Sequence, residues 1–275
     1  FVHTDELDRP ALTHCANPEE PTFEDKKDED HFQCYIQKAL YDEKALKEAV
    51  ENFPLPDVEI SYNMVEAEDK DWNEEWEKNY FKPLVVDGRC VISSTFHTDV
   101  PEAEYSITIN PQMSFGTGHH ATTSQMISRL LTDDITGLNV LDMGCGTSIL
   151  AILARMRGAA HCLGIDVDEW CVKNSRENIQ LNHLDGIDVE LGDASSLAGQ
   201  GPFDLVIANI NLGILLNDLK HYVPCMKPGA YIYMSGFYDT DIPQLVAEAE
   251  HQGLKLTDEH VLDGWACLKL QKIEA

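Results

Sequence analysis

The chemistry of this chain is concentrated in Val140-Leu141-Asp142-Met143-Gly144-Cys145-Gly146-Thr147-Ser148, which runs into the apolar stretch Ile149 to Leu153. An apolar strand, a two-glycine turn and a helix start, in that order, let backbone approach a bound group closely, because glycine carries no Cβ and accepts positive φ. Asp166 closes a second apolar run about 20 residues further on, Cys162-Leu163-Gly164-Ile165, where a carboxylate can accept hydrogen bonds from ribose hydroxyls. Asp193, in Leu191-Gly192-Asp193-Ala194, follows a third run. Each acid has an ordinary structural use, capping a turn or closing a strand in solvent. Their occurrence in order, at the ends of three successive strands, favours a nucleotide-type cofactor site.

The elements that must position these acids are an alternating series. From about residue 103 the chain reads as strand 105–109, helix 122–131, strand 138–141, helix 148–156, strand 161–165, helix 169–181 and strand 187–191. It continues as strand 203–208, helix 212–223, strand 231–235, helix 242–251, strand 254–257 and a last strand 265–270. Such alternation predicts a mostly parallel, doubly wound α/β sheet with helices on both faces and ligands at the carboxyl ends of the strands. Ahead of it, residues 1–30 are polar and irregular. Residues 32–36 and 58–65 read as strands flanking a helix over 42–53 that carries Ala45, Leu46, Ala49, Val50 and Phe53 on one face. The expected organisation is a small α+β domain over 1–66, a connector over 67–102 in which Trp72 and Trp76 anchor one helical face, and a cofactor domain over 103–275.

Composition narrows the partners. The chain of 275 residues carries a net charge of -28, and residues 1–75 hold 22 of its 48 acids but only 7 of its 20 Lys and Arg. Nucleic acid is disfavoured, since phosphate contacts need Lys and Arg. The acidity fits either a basic protein partner or simple solubility. No apolar run approaches the roughly 18 residues of a membrane span, and no signal-peptide pattern opens the chain, which starts at Phe1 as a trimmed terminus would. A cytoplasmic monomer is expected. The eight cysteines are scattered without a C-x-x-C pair, so reduced thiols are expected, and His119-His120 lacks a carboxylate at ligand spacing, so no metal is.

The glycine turn separates two cofactor classes. A nicotinamide site presents G-x-G-x-x-G/A, whereas Gly144 and Gly146 are followed by Thr147, Ser148 and the branched Ile149. Asp142 two residues before the first glycine, with Asp166 and Asp193, resembles the motifs of class I S-adenosylmethionine-dependent methyltransferases, in which the third acid faces the adenine amine. Upstream, Phe115-Gly116-Thr117-Gly118 with His120, Thr122 and Thr123 matches F-G-T-G-x-H-x-T-T of the ribosomal protein methyltransferase family PrmA. Ala208-Asn209-Ile210 resembles that family's A-N-I. Asp71-Trp72, Trp76 and Phe81-Lys82-Pro83 resemble its D-W-x-x-x-W and F-K-P. The resemblance covers roughly residues 68–275, with Thr147-Ser148 standing where S-G is usual and no match over 1–31.

The resemblance implies a class I, Rossmann-like methyltransferase fold, S-adenosyl-L-methionine as cofactor, and methylation of amines, α-amino or lysine, of large-subunit ribosomal protein eleven, docked by the front domain. The other readings are methylation of another protein or a small amine, and a catalytically silent cofactor-binding module in ribosome assembly. Methyl transfer to nitrogen is an in-line displacement that needs alignment and a neutral amine, not a nucleophilic side chain. Asn209 is the candidate for receiving the amine, since a side-chain carbonyl accepts its N–H without a full charge. Thr117 could contact cofactor or amine in a loop bounded by Gly116 and Gly118. The expected cofactor-binding residues are Phe115, Gly116, Thr117, Gly118, Asp142, Gly144, Gly146, Asp166, Asp193 and Asn209, and the expected catalytic residues are Asn209 and Thr117.

Overall fold

The computed structural model describes residues 41–52, 82–110 and 114–273. The strands expected over 32–36 and 58–65, the irregular residues 1–30 and the Trp72/Trp76 connector lie outside them. Contacts divide the chain into units 1–67 and 68–275. Within the first, α1 (Glu43–Glu51) starts where Asp42 accepts the backbone N–H groups of Lys44 and Ala45, satisfying two of the donors that every helix start leaves open.

In the second unit, β1 (Leu84–Val86) and β2 (Cys90–Ser93) pair antiparallel, and β2 pairs parallel with β3 (Tyr105–Thr108). The stretch expected as a connector therefore supplies two strands to the same small sheet as β3, and the boundary expected at 103 falls inside that sheet. The other side of β3 meets a ladder of side chains. Asn182 accepts the Thr108 N–H at 2.9 Å and donates to the Thr108 carbonyl at 2.6 Å, Asn178 accepts the Asn110 N–H at 2.8 Å, and Asn174 donates to the Asn110 carbonyl at 2.8 Å. These asparagines recur every fourth residue along one helix, so they share a face. Their amides take the place of a neighbouring strand.

The large sheet has the order β6-β5-β4-β7-β8-β10-β9. Its strands are β4 (Asn139–Met143), β5 (His161–Asp166), β6 (Ile187–Leu191), β7 (Phe203–Asn209), β8 (Met226–Tyr238), β9 (Leu254–Leu262) and β10 (Trp265–Lys272). The helices are α2 (Ala121–Thr132), α3 (Ile149–Met156), α4 (Glu169–Leu181), α5 (Leu212–Cys225) and α6 (Ile242–His251). Strands β6 to β8 are parallel, as alternation predicts, while β10 runs antiparallel between β8 and β9. One apolar layer packs α2 and α3 on one face, and another packs α5 and α6 on the other. The fold is the expected class I, Rossmann-like α/β sheet.

Strand β9 runs five residues beyond its expected end at 257. Beyond Leu254 it buries almost nothing, so no period-2 apolar pattern marks it; backbone pairing with β10 across the Asp263-Gly264 turn (φ 52° and 77°) defines it. The strand order reverses beside β4, and the carboxyl ends of β4, β5 and β7 open onto that switch point.

Replacing Asn178 by Ala strands the half-buried Asn110 N–H and the buried Thr147 carbonyl, a further partner at 3.1 Å. At about 1–3 kcal/mol for each orphaned group, urea denaturation is expected to show a loss of about 2–5 kcal/mol, whereas a loss below about 1 kcal/mol would mean that the ladder is dispensable.

Candidate active site

The turn after β4 is held from three sides. Gly144 and Gly146 have φ of 68° and 53°; a Cβ on the first would lie 2.5 Å from Ile210 Cγ2, and on the second 2.4 Å from the Phe115 carbonyl oxygen. Asp166 Oδ2 accepts the Gly146 N–H at 2.9 Å while Oδ1 accepts the Asp168 N–H at 3.0 Å. Ser148, where the resemblance leads one to expect glycine, also sits in the left-handed region at φ 60°. A serine pays for that conformation in sterics, and its hydroxyl is tied down by donating to Ser175 Oγ at 2.8 Å, which itself donates to the Gly146 carbonyl at 2.7 Å.

The loop carrying F-G-T-G is bolted to this turn. Thr147 donates its N–H to the Phe115 carbonyl at 3.1 Å and its hydroxyl to the Gly116 carbonyl at 2.7 Å. Gly118 (φ 90°) packs on the small sheet, where a Cβ would come 2.8 Å from Ile92. His119 Nε2 lies 3.0 Å from the Lys82 carbonyl, and His120 caps α2, its Nδ1 accepting the Thr122 N–H at 3.3 Å. The two histidines thus do hydrogen-bonding work, and among the described residues no group of three His, Cys, Asp or Glu could hold a metal ion.

A cavity of about 480 Å³ opens at the carboxyl ends of the parallel strands. Its wall brings together Phe115, Gly144, Gly146, Asp166, Asp193 and Asn209 from the expected set. Gly116, Thr117, Gly118 and Asp142 do not reach it. Phe115 is exposed, with its ring edge-on to His120 at 5.6 Å. Asp193 Oδ1 caps the short 3-10 turn Ala194–Leu197, accepting the Ser195 N–H at 2.8 Å and hydroxyl at 2.5 Å, and these bonds hold its carboxyl below the usual range. Asn209, at the end of β7, donates Nδ2 to Thr123 Oγ1 at 3.3 Å; its Oδ1 is buried and has no hydrogen-bond partner.

Sequence reasoning missed other parts of the wall. Met143, Ile165, Val167 and Ile210 make it apolar. His120 stands edge-on to Trp265 at 4.7 Å, Trp265 lies against Tyr238 at 4.3 Å, and Asp218 of α5 accepts the Tyr222 hydroxyl at 3.3 Å. His120 is not a residue that helix starts favour, so the sequence marked it only through the motif match and not as the cap of α2. Trp265 carries no such signal, since it reaches the site only through the pairing of β10 with β8.

A sequence model described as ribosomal protein L11 methyltransferase (PrmA) matches residues 10–273. The chain belongs to this family. The match begins well before residue 32, so it reaches into the front segment that showed no resemblance by inspection. The chain is 64% identical over 236 residues to the ribosomal protein L11 methyltransferase of Bacteroides thetaiotaomicron, covering 86% of this chain and 84% of that one, and 48% identical to that of Porphyromonas gingivalis over 80% and 76%. A crystal structure of the ribosomal protein L11 methylase of Lactobacillus delbrueckii subsp. bulgaricus superposes with a TM-score of 0.65 at 22% identity, covering 70% of this chain and 99% of that one; at that identity it supports the fold alone.

In this chain the acid ahead of the glycines is buried beneath the turn. Asp142 is 1% exposed and neither oxygen has a hydrogen-bond partner. Burial pushes its carboxyl up to about 7 against the opposing pull of the nearby Ala151 N–H, and the charge of Asp166 adds to the rise. The folded chain therefore holds a proton that the unfolded chain, with an ordinary carboxyl near 3.8, has already lost. Stability from this group is complete below about pH 4 and is lost as pH rises toward 7. Relative to wild type, Asp142→Asn should gain about 1–4 kcal/mol at pH 8 and nothing at pH 4. Urea titrations across that range check it, and a pH-independent difference would contradict it.

Proposed function

We propose that this chain is an S-adenosylmethionine-dependent protein methyltransferase acting on amines of ribosomal protein L11: its α-amino group, lysine side chains or both. The observation that carries the site assignment is the unpaired, buried Oδ1 of Asn209 on the cavity wall. A buried carbonyl without a partner is costly, and an incoming N–H group would satisfy it.

The cavity's donors and acceptors fit the cofactor. Asp166 and Asp193 offer carboxylate oxygens for ribose hydroxyls and an exocyclic amine, the exposed Phe115 and Val167 offer apolar surface for a base, and the Gly144-to-Gly146 turn leaves backbone bare of side chains. When bound, S-adenosylmethionine supplies an electrophilic methyl carbon on a sulfonium. Phe115, Gly144, Gly146, Asp166, Asp193 and Asn209 hold cofactor and amine. Gly116, Thr117, Gly118 and Asp142, which lie off the cavity wall, act by shaping the turn and its loop.

The accepting amine must arrive neutral. Removing the proton from a lysine of pKa about 10.4 near pH 7.4 costs on the order of 4 kcal/mol, against less than about 1 kcal/mol for an α-amine. Asn209 suits this step, because a neutral carbonyl orients the N–H without stabilising the ammonium as a carboxylate would. The front unit, residues 1–67, docks the substrate in this reading, and its acidity suits a basic ribosomal protein.

With purified L11 and labelled cofactor, mass spectrometry should find methylated amines on L11; an unlabelled L11 beside a modified small amine would overturn the substrate. Asn209→Ala should lower turnover by about a hundred-fold or more with cofactor affinity within about twofold. Asp166→Ala removes both the Gly146 N–H bond and a ribose acceptor, and calorimetry should show cofactor binding weaker by about 1–3 kcal/mol. Tight binding of NAD in place of S-adenosylmethionine would refute the cofactor.

A further inference from the structure

An asparagine amide has two ends of nearly equal size, one a hydrogen-bond acceptor and the other a donor. Which end meets the acceptor amine decides the chemistry. An oxygen takes an N–H and leaves the nitrogen lone pair free for the methyl carbon, whereas an NH₂ group would donate to that lone pair and quench it. Among the described residues one side chain bonds the amide of Asn209. Thr123 Oγ1, 1% exposed in the first turn of α2, receives Asn209 Nδ2 at 3.3 Å, and Oδ1 is left buried and unpaired.

The backbone beneath Asn209 is fixed independently. Asn209 is in register with Ser235, the Ile210 N–H donates to the Ser235 carbonyl at 3.0 Å, and Ser235, itself fully buried, donates its hydroxyl to the Ala266 carbonyl at 2.6 Å. Gly236 closes the other side, where a Cβ would lie 2.4 Å from the Ile210 carbonyl oxygen. These bonds hold the main chain and leave the side-chain amide one contact that sets its plane.

We propose that Thr123 is a positioning residue: its hydroxyl anchors the nitrogen end of the Asn209 amide, so that the oxygen end stays presented to the accepting amine. The amine's own N–H groups favour this orientation, since the reversed amide would offer them no acceptor. The last threonine of the F-G-T-G-x-H-x-T-T motif and the asparagine of A-N-I are thereby one device, although 86 residues separate them. The proposal rests on the reading of Asn209 as the group that receives the amine.

Steady-state kinetics with L11 as substrate, together with cofactor affinity by calorimetry, test it. Thr123→Val keeps the side chain's shape and removes the anchor; kcat should fall about ten-fold or more while cofactor affinity stays within about twofold. Thr123→Ser restores the hydroxyl and should recover most of the rate. The double variant Thr123→Val with Asn209→Ala should be no slower than Asn209→Ala alone, because both changes remove one function. A Thr123→Val enzyme with wild-type kcat beside an impaired Asn209→Ala enzyme overturns the proposal and spares the reading of Asn209. Equal losses in Val and Ser variants, or losses that multiply in the double variant, also overturn it by indicating a packing role. An unimpaired Asn209→Ala enzyme overturns the reading beneath it. Should the Val variant not fold, Thr123→Ala serves the same comparison against Ser.

Discussion

The site depends on the close approach of the turn after β4 to the Phe115 backbone and the Ile210 side chain. The turn after β4 lies so near to Phe115 on one side and Ile210 on the other that a single methyl group at Gly144 or Gly146 has nowhere to go. That proximity allows the hydrogen bonds from Thr147 to the Phe115 and Gly116 carbonyls, and it places the ends of β4 and β7 and the F-G-T-G loop around one cavity. Without it the loop and strand ends would stand apart, and no set of side chains could restore their spacing. Glycine is required here because neighbouring protein fills the volume of a Cβ and because φ is positive.

Three acids that look alike in sequence have three different physical situations. Asp166 spends one oxygen on the Gly146 N–H and the other on that of Asp168, so it builds the turn it also borders. Asp193 is exposed and caps a short helical turn, which keeps it ionised. Asp142 is sealed under the turn with no partner and is held to its proton up to about pH 7. Solvent access and hydrogen bonding separate them, and neither is visible in a spacing pattern.

Legibility followed the physics of each element. Helices α4 and α6 were readable to the residue from their ends: Asp168 caps the first turn of α4, Pro243 opens α6 and Gly253 follows it. The helix-fed parallel strands were readable because burial on both faces makes them apolar runs. Strand β9 was truncated because its residues beyond Leu254 are mostly exposed and its order comes from main-chain pairing. The asparagines at 174, 178 and 182 drew no expectation from the sequence. Only docking against the open edge of β3 turned their shared face into a hydrogen-bonding ladder.

By itself the sequence determined the layered α/β fold, the glycine turn and the acids around it, and the family resemblance carried by F-G-T-G and A-N-I, because each is a local pattern of residue type and spacing. The tertiary structure decided which of those residues meet. It brought Phe115, Asp166, Asp193 and Asn209 to one cavity, left Thr117 and Asp142 off its wall, and added His120, Asp218 and Trp265. It also set Thr123 against Asn209. Contacts of this kind come from strand order and packing, which juxtapose residues far apart in the chain, and no spacing along a sequence encodes a distance across a sheet.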